Sequence, residues 1–164
     1  MQRTEGRRRE TDEDVRELLS TVRRVAVLGM KTEAQADKPA FYVPAYALRH
    51  GLSIVPIPVL HPDAKEILGQ TTYPSVAAIP GPIDLVNVFR RSADVPAHLD
   101  DLLAKRPRAV WMQSGIRNEA VAARLLEAGI DVVQDRCLMV DLRLLRLRAE
   151  PGPCRDRMAR QRPR

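Results

Sequence analysis

Five short runs of apolar residues most constrain the fold of this chain. They lie at residues 25–29, 52–57, 85–89, 109–112 and 131–133. Runs of this length are typical of strands buried on both faces of a parallel sheet. Segments with helical periodicity alternate with them, such as 40–50, which begins after Pro39 and ends at Gly51. Because parallel strands are joined by crossover helices on both faces, the alternation predicts one Rossmann-like, doubly wound α/β domain.

The segments between these runs carry weaker signals. Thr11 followed by Asp14 predicts a capped helix over about 12–21. Further helices are expected over 93–105 and from Asn118 to Ala128, whereas 138–147 fits a strand or a helix equally well. Residues 59–82 are expected to be irregular, with one short turn at 75–78.

Charge separates a domain from a tail. Residues 1–142 contain 19 basic and 19 acidic residues, whereas 143–164 contain eight arginines against Glu150 and Asp156, which gives the net charge of +6. From about residue 149 the chain is rich in proline, and we predict that this part is disordered. The expected organisation is a flexible N-terminus at 1–10, the folded domain at 11–148 and an Arg/Pro-rich tail at 149–164.

Composition excludes several classes of protein. Cys137 and Cys154 are too few for a disulfide framework or a four-ligand zinc site, and the three histidines have no metal-ligand spacing. The charged first 20 residues contain no apolar signal segment, and no apolar run is long enough to span a membrane. Aromatic residues make up 4%, too few for a surface that stacks nucleic-acid bases. We therefore expect a cytoplasmic protein that makes no membrane contact and no contact with nucleic acid outside its basic tail.

Ligands of doubly wound sheets bind at the carboxyl ends of the strands, so the residues after each run are the candidates. After the first run, Gly29 is the one glycine present from the G-x-G-x-x-G dinucleotide pattern. Met30 and Lys31 follow, and Lys38 precedes the helix start at Pro39 and Ala40. A helix N-terminus flanked by two lysines suits a phosphate group.

The other strand ends add polar and rigid groups. Pro58 follows the second run, and no acidic residue that could hold a ribose occurs before Asp63. Guanidinium groups suit phosphates, and backbone next to a glycine can approach a ligand closely. After the third run, Phe89 is followed by Arg90 and Arg91, which suit phosphates. After the fourth run, the side chains of Gln113 and Ser114 can hydrogen-bond an amide, and Gly115 allows the close approach.

No catalytic group is expected from the sequence. Cys137 follows Asp135 and Arg136, which we interpret as a local ion pair beside a structural thiol. No histidine lies at a strand end to act as its base. Asp100 and Asp101 are expected to lie on a solvated helix face.

Several segments between Val25 and Val140 together resemble a known family. They are 25–29, 38–43, 66–69, 84–91, 111–116 and 135–137, of which the Phe-Arg and Trp-x-Gln-x-Gly-Ile segments are the most specific. In these the chain is similar to the small bacterial CoA-binding proteins related to the CoA-binding domain of succinyl-CoA synthetase α subunits. The resemblance implies that CoA lies across the carboxyl strand ends with its diphosphate near the first loop. It does not imply ligase activity, because the synthetase's phosphorylated histidine belongs to a separate part of that enzyme with no matching segment here.

The leading hypothesis is therefore non-catalytic binding of CoA or an acyl-CoA, with the partner enzyme unidentified. The alternative is an NAD(P)-dependent reductase, in which Arg90 or Arg91 would hold a 2′-phosphate. A third hypothesis is a nucleic-acid-associated protein that acts through the tail.

Overall fold

The computed structural model describes residues 4–149 and places a five-stranded parallel sheet at their centre. The strands are β1 (Arg24–Leu28), β2 (Ser53–Ile57), β3 (Glu66–Ile67), β4 (Gln70–Thr71), β5 (Leu85–Val88), β6 (Ala109–Met112) and β7 (Asp131–Val133). The central sheet has the order β2-β1-β5-β6-β7, and β3 and β4 form a separate antiparallel hairpin. All five predicted strands are confirmed.

Helices cover both faces of the sheet. They are α1 (Asp12–Leu19), α2 (Pro39–Arg49), α3 (Leu99–Lys105), α4 (Glu119–Glu127) and α5 (Leu138–Ala149), with 3₁₀ helices at Glu33–Gln35 and Ser92–His98. Helices α1, α2 and α5 pack with Val25 and Val27 of β1, whereas α3 and α4 pack with Ala26 and Leu28. Successive residues of a strand point to opposite faces, which produces these two cores. The predicted doubly wound α/β fold is therefore confirmed.

Local capping signals fix the helix starts as expected. Asp14 N donates to Thr11 Oγ1 over 3.1 Å, and Thr11 N donates to Asp14 Oδ2 over 3.2 Å, so both halves of the capping box are present. Pro39 is the first residue of α2, and Asn118 caps α4 by accepting from Val121 N.

Three segments differ from their sequence-based description. The stretch 59–82 contains the hairpin β3–β4, whose turn places both Leu68 and Gly69 at positive φ. A leucine disfavours that conformation, so the sequence carried no turn signal. The predicted helix 93–105 begins as the 3₁₀ helix that contains Pro96, and the ambiguous segment 138–147 belongs to helix α5.

The N-terminal stretch lies along β7. Arg8 forms a parallel bridge with Val132, and Arg9, 6% exposed, donates from Nη2 to Asp131 Oδ2 over 2.8 Å. These contacts, which the sequence did not predict, cover the edge of the sheet. The predicted disordered tail lies outside the described residues.

Candidate ligand-binding site

The carboxyl ends of β1, β5 and β6 border a cavity of about 920 Å³ between the starts of α2 and α5. We call it the cationic cavity, because four basic residues take part in its wall. The lining residues are Lys31, Gln35, Lys38, Pro39, Ala40, Tyr42, Val43, Phe89, Arg90, Arg91, Ser92, Gln113, Ser114, Gly115, Ile116 and Cys137. Ten of the thirteen sequence-predicted site residues are among them; the exceptions are Gly29, Met30 and Pro58.

Gly29 acts beneath this cavity and not in its wall. Its φ is +89°, and a Cβ atom there would come within 2.5 Å of the Phe89 carbonyl oxygen. Only glycine tolerates both the conformation and the contact. The turn at Gly29 also directs Met30 into the core, where that side chain is 1% exposed. Both residues therefore shape the site from below.

A proline inside α2 ties the first loop to the cavity wall. Pro44 has no N–H group to donate to the carbonyl of Ala40 four residues earlier. That oxygen instead accepts from Lys31 N over 3.2 Å. The bond holds the first loop against the start of α2, so that Lys31 and Lys38 border the same cavity.

The two arginines after β5 differ sharply in their surroundings. The side chain of Arg91 is 87% exposed and donates from Nε to Asp94 Oδ2 over 2.8 Å. This bond, more than any other influence, lowers the pKa of Asp94. The side chain of Arg90 is 17% exposed, and its Nη2 lies 3.8 Å from the same oxygen.

The Nε atom of Arg90 is buried and has no hydrogen-bond partner among the described residues. A buried donor without an acceptor is costly, and more so on a charged group. A hydrogen-bond acceptor on a bound ligand would therefore satisfy the Nε atom of Arg90.

The residues after β6 shape the opposite wall. Gln113 is 4% exposed, and its Oε1 accepts from Leu138 N over 3.3 Å, which fixes the start of α5 against the sheet. Gly115 has a φ of +81°, but a Cβ there would meet nothing within 4 Å. Its N–H donates to Asp135 Oδ1 over 2.6 Å. Gly115 is thus needed for the turn, and Ser114 beside it is exposed.

The prediction of an ion pair between Asp135 and Arg136 is wrong. Asp135 accepts from the Gly115 backbone, while Arg136 donates to Asp141 through Nε and Nη2 and to Asp12 through Nη2. The hydrogen bonds to Asp141 are the largest cause that raises the Arg136 pKa. Arg136 therefore pairs with carboxylates on α1 and α5 and not with its sequence neighbour Asp135.

A second cavity, of about 670 Å³, lies on the α3 side of the β1 end. We call it the proline cavity; it is lined by Leu28, Pro58, Val59, Pro62, Lys65, Thr71, Thr72, Tyr73, Pro74, Ser75, His98 and Asp101. Pro58, predicted as part of one continuous groove, lies here, because β2 carries its loop towards α3. Burial is the main cause that lowers the pKa of His98, with the charge of Arg90 second.

Asp101 does not lie on a solvated helix face as expected. Its two carboxylate oxygens accept from the backbone N–H groups of Val76 and Ala77, each over 2.8 Å. The bonds hold the loop after the hairpin against α3 and close one side of the proline cavity.

Sequence reasoning missed six residues of the cationic cavity. Gln35, Tyr42, Val43, Ser92, Ile116 and Cys137 line it as well. A usable signal existed for Val43, which lies one helical turn after Pro39 on the face that Ala40 begins. Cys137 had a signal too, since it follows the β7 end.

A family comparison identifies the kind of domain that contains this cavity. The model of the CoA binding domain matches residues 23–143, which contain the whole sheet and both cavities. The chain belongs to the CoA binding domain family. A family member of this kind has a role connected with CoA, and none of the comparisons favours an NAD(P)-dependent reductase.

Individual relatives agree with that membership. An uncharacterised Bacillus subtilis protein, YneT, is 33% identical over 127 residues, which cover 77% of this chain and 90% of YneT. A Thermus thermophilus protein of solved structure is 38% identical with a TM-score of 0.75, over 82% of this chain and 98% of that one. An acetyl-coenzyme A synthetase of Ca. Korarchaeum cryptofilum shares the fold at 21% identity and a TM-score of 0.56, over 66% of this chain and 25% of the synthetase.

The described part of the chain offers neither a metal site nor a membrane span. Within residues 4–149, no group of three or more histidine, cysteine or acidic side chains could hold a metal ion. None of the helices described there has the length and apolar character needed to cross a membrane.

Proposed function

We propose that this protein binds CoA or an acyl-CoA at the carboxyl edge of its sheet and does not itself catalyse a reaction. The observation that carries the proposal is the buried, unpartnered Nε of Arg90 in the wall of a cavity that also contains Lys31 and Lys38. CoA brings phosphate oxygens, which are the acceptors that a guanidinium group binds best. We place this binding in the cytoplasm.

The size and polarity of the two cavities support a long ligand. CoA joins a phosphorylated nucleotide to a thin amide chain, so its charged and uncharged parts can occupy different cavities, and the volume of about 920 Å³ is within the range of small-molecule sites. In this proposal the phosphates lie on the cationic side. The proline cavity, whose stiff apolar wall includes Pro58 and Pro62, takes an uncharged part such as the base.

The positions of Cys137, His98 and His50 support binding without chemistry. Cys137 lines the cationic cavity, whereas His98 lines the proline cavity. A thiol nucleophile requires a base within hydrogen-bond reach. His50 packs edge-on against Tyr46 at the far end of α2, with 4.0 Å between the ring centres.

Calorimetric titration of the purified protein tests the proposal. CoA and acetyl-CoA should bind, while NAD, NADPH and ATP at the same concentrations should bind weakly or not at all. Binding of NADPH without a response to CoA would overturn the proposal in favour of the reductase. Conversion of acetyl-CoA to free CoA by the protein alone would overturn the non-catalytic part of the proposal. The free thiol that this reaction releases is what the assay measures.

A further inference from the structure

The order of chemical groups around the cationic cavity follows the order of the strands in the sheet. The groups are Lys31 and Lys38 after β1, Arg90 after β5, Gln113 after β6 and Cys137 after β7. Because these strands lie side by side in the order β1-β5-β6-β7, the cavity wall changes from cations through an amide to a thiol. The proposed function uses the cations and gives the thiol no role.

No acidic side chain is among the residues that line this cavity, all of which belong to the described chain. The carboxylates nearby have partners outside the wall or at its cationic side. Asp37 lies 3.4 Å from Lys38, and Asp94 pairs with the two arginines after β5. Asp135, near the thiol in sequence, accepts from the backbone N–H of Gly115. An anionic ligand therefore meets cations at one side of the cavity and no acid in its lining.

Gln113 offers the cavity a donor from a fixed position. Its side chain is 4% exposed and lines the cavity, and its Oε1 accepts from Leu138 N over 3.3 Å. Since a backbone N–H donates only to the oxygen of an amide, this bond fixes which way the amide group faces. Within residues 4–149 no group accepts from Gln113 Nε2. This buried donor suits a carbonyl oxygen on a ligand.

Cys137 lies beside that amide, directly before Leu138 at the start of α5. Its carbonyl oxygen accepts from Asp141 N over 3.1 Å, which fixes its backbone at the helix start. Its side chain is a free thiol that is partly exposed. The charge of Arg136, its neighbour in sequence, is directed to Asp12 and Asp141. The thiol and the Gln113 amide thus form an uncharged side of the cavity.

The span of this series matches the arm of CoA. Adjacent strands lie about 4.8 Å apart, so the ends of β5 and β1 are about 10–14 Å from the end of β7. The pantetheine arm joins phosphate to thiol through about 12 bonds, as many as four extended peptide residues, which reach at most about 14 Å. Amide carbonyl groups lie between its two ends. With its phosphates at the cations, CoA brings its own sulfur to Cys137.

We propose that Cys137 is a modification site that forms a mixed disulfide with CoA, an inference that rests on the proposed function. The co-reactant is the disulfide of CoA. The Cys137 thiolate attacks one sulfur of that disulfide, and a new S–S bond forms as the old one breaks. The Cys137 sulfur is oxidised, while the departing CoA is reduced and leaves as a thiolate that takes up the proton lost by Cys137.

This exchange needs no histidine beside the thiol. A small fraction of an ordinary cysteine is ionised at neutral pH, and a thiolate attacks a disulfide directly. The adduct forms once on each chain, so it is compatible with a protein that does not catalyse a reaction. Because binding brings the two sulfur atoms together, CoA disulfide should react faster than a disulfide that the cavity does not hold.

Intact-mass spectrometry of the full chain at neutral pH tests the proposal. CoA disulfide should add the mass of one CoA less two hydrogen atoms, dithiothreitol should remove it, and peptide mapping should place it on Cys137. Pantethine, the disulfide of the same arm without the nucleotide and its phosphates, is the comparison probe. It should react at least about tenfold more slowly, since hydrogen bonds to charged groups contribute about tenfold or more to affinity.

The second cysteine of the chain provides a matched control. Cys154, which lies outside the described residues, should react slowly, so Cys154→Ser should not change the rate of adduct formation. Cys137→Ser should lose the fast adduct. Arg90→Gln/Lys38→Gln keeps the thiol and should slow the reaction with CoA disulfide about tenfold more than the reaction with pantethine.

Three results would overturn the proposal. They are equal rates of adduct formation on Cys137 and Cys154, equal rates with CoA disulfide and pantethine, and the absence of any adduct on Cys137. Calorimetric titration with reduced CoA separates this failure from that of the proposed function. If reduced CoA binds and Cys137 gains no adduct, the mixed disulfide alone is refuted; if reduced CoA does not bind, the proposed function fails and the mixed disulfide with it.

Discussion

The ends of β5 and β7 each place an arginine two or three residues past a strand, yet the two side chains have opposite surroundings. Arg136, after β7, donates to Asp12 and to both carboxylate oxygens of Asp141 at 2.7–3.0 Å. Arg90, after β5, keeps a buried Nε without a partner and lies 3.8 Å from Asp94. The first arginine joins α1, α5 and the sheet, while the second is left with donors for a ligand.

The glycines beside these arginines differ in the same way. Gly29 and Gly115 both have φ near +85°, but only Gly29 packs against backbone, at Phe89. Gly29, at the end of β1, thus packs tightly against the β5 end beneath an unsatisfied cation, whereas Gly115, after β6, meets open space. Close packing at β5 holds the Arg90 side chain in place, as the proposed phosphate contact requires.

The largest effect should come from Gly29→Ala. The variant combines a strained φ, which costs about 1–3 kcal/mol, with a clash against the Phe89 carbonyl, so we expect a loss of about 2–4 kcal/mol in the free energy of unfolding. Gly115→Ala, strained but unobstructed, should lose less. Urea denaturation of both variants checks this, and equal losses would refute the difference in packing.

The next largest effect should be on ligand affinity. Hydrogen bonds to charged groups contribute about 1.5–3 kcal/mol, so Arg90→Gln should weaken CoA binding roughly tenfold to a hundredfold in a calorimetric titration. The neighbouring control Arg91→Gln should lose less, because that side chain is 87% exposed and already paired. A larger loss in the control would place the phosphate on Arg91.

Combining Arg90→Ala with Lys38→Ala should lower the affinity further, with little effect on stability, and dephospho-CoA locates the contact. If Arg90 binds the 3′-phosphate, its loss should not weaken dephospho-CoA binding. If it binds the diphosphate, both ligands should weaken equally. A double variant that binds CoA like the parent would exclude this site.

Arg136→Gln should have the opposite effect to Arg90→Gln, lowering stability and leaving CoA affinity nearly unchanged. Removing the guanidinium leaves Asp141, 10% exposed, without its main partner, so we expect a loss of about 1–2 kcal/mol in the free energy of unfolding. CoA affinity should fall by much less than in Arg90→Gln. Denaturation and titration of both variants compare the two ends directly, and a pure affinity loss in Arg136→Gln would contradict the structural role.

The smallest effect concerns pH. Burial and the Arg90 charge lower the pKa of His98 in the folded protein, so the unfolded chain binds the proton more readily. Stability linked to His98 is therefore complete above its unfolded pKa of about 6.5 and decreases as the pH falls below that value. His98→Gln should flatten the dependence of the free energy of unfolding between pH 7 and 5, and Arg90→Gln should reduce it. A profile that flattens in His98→Gln but is unchanged in Arg90→Gln would show that Arg90 does not act on His98.

The sequence by itself determined the sheet, the helix starts and most of the cavity wall. Apolar runs, the Thr11 cap and Pro39 act over a few residues, so their effects are visible without the fold. The rule that ligands meet strand ends then located Lys38, Arg90 and Gln113 correctly beside one cavity. Their roles as ligand contacts stay a prediction.

Only the tertiary structure decided which side each strand-end residue faces and which charge finds a partner. Met30 turns into the core, Pro58 borders a different cavity, and Arg136 pairs with Asp12 across 124 residues of sequence. A single sequence lists the donors and acceptors but not the distances between them. Because hydrogen bonds and ion pairs weaken steeply with distance, packing of α1 and α5 satisfied Arg136, whereas the Nε of Arg90 has no acceptor within residues 4–149.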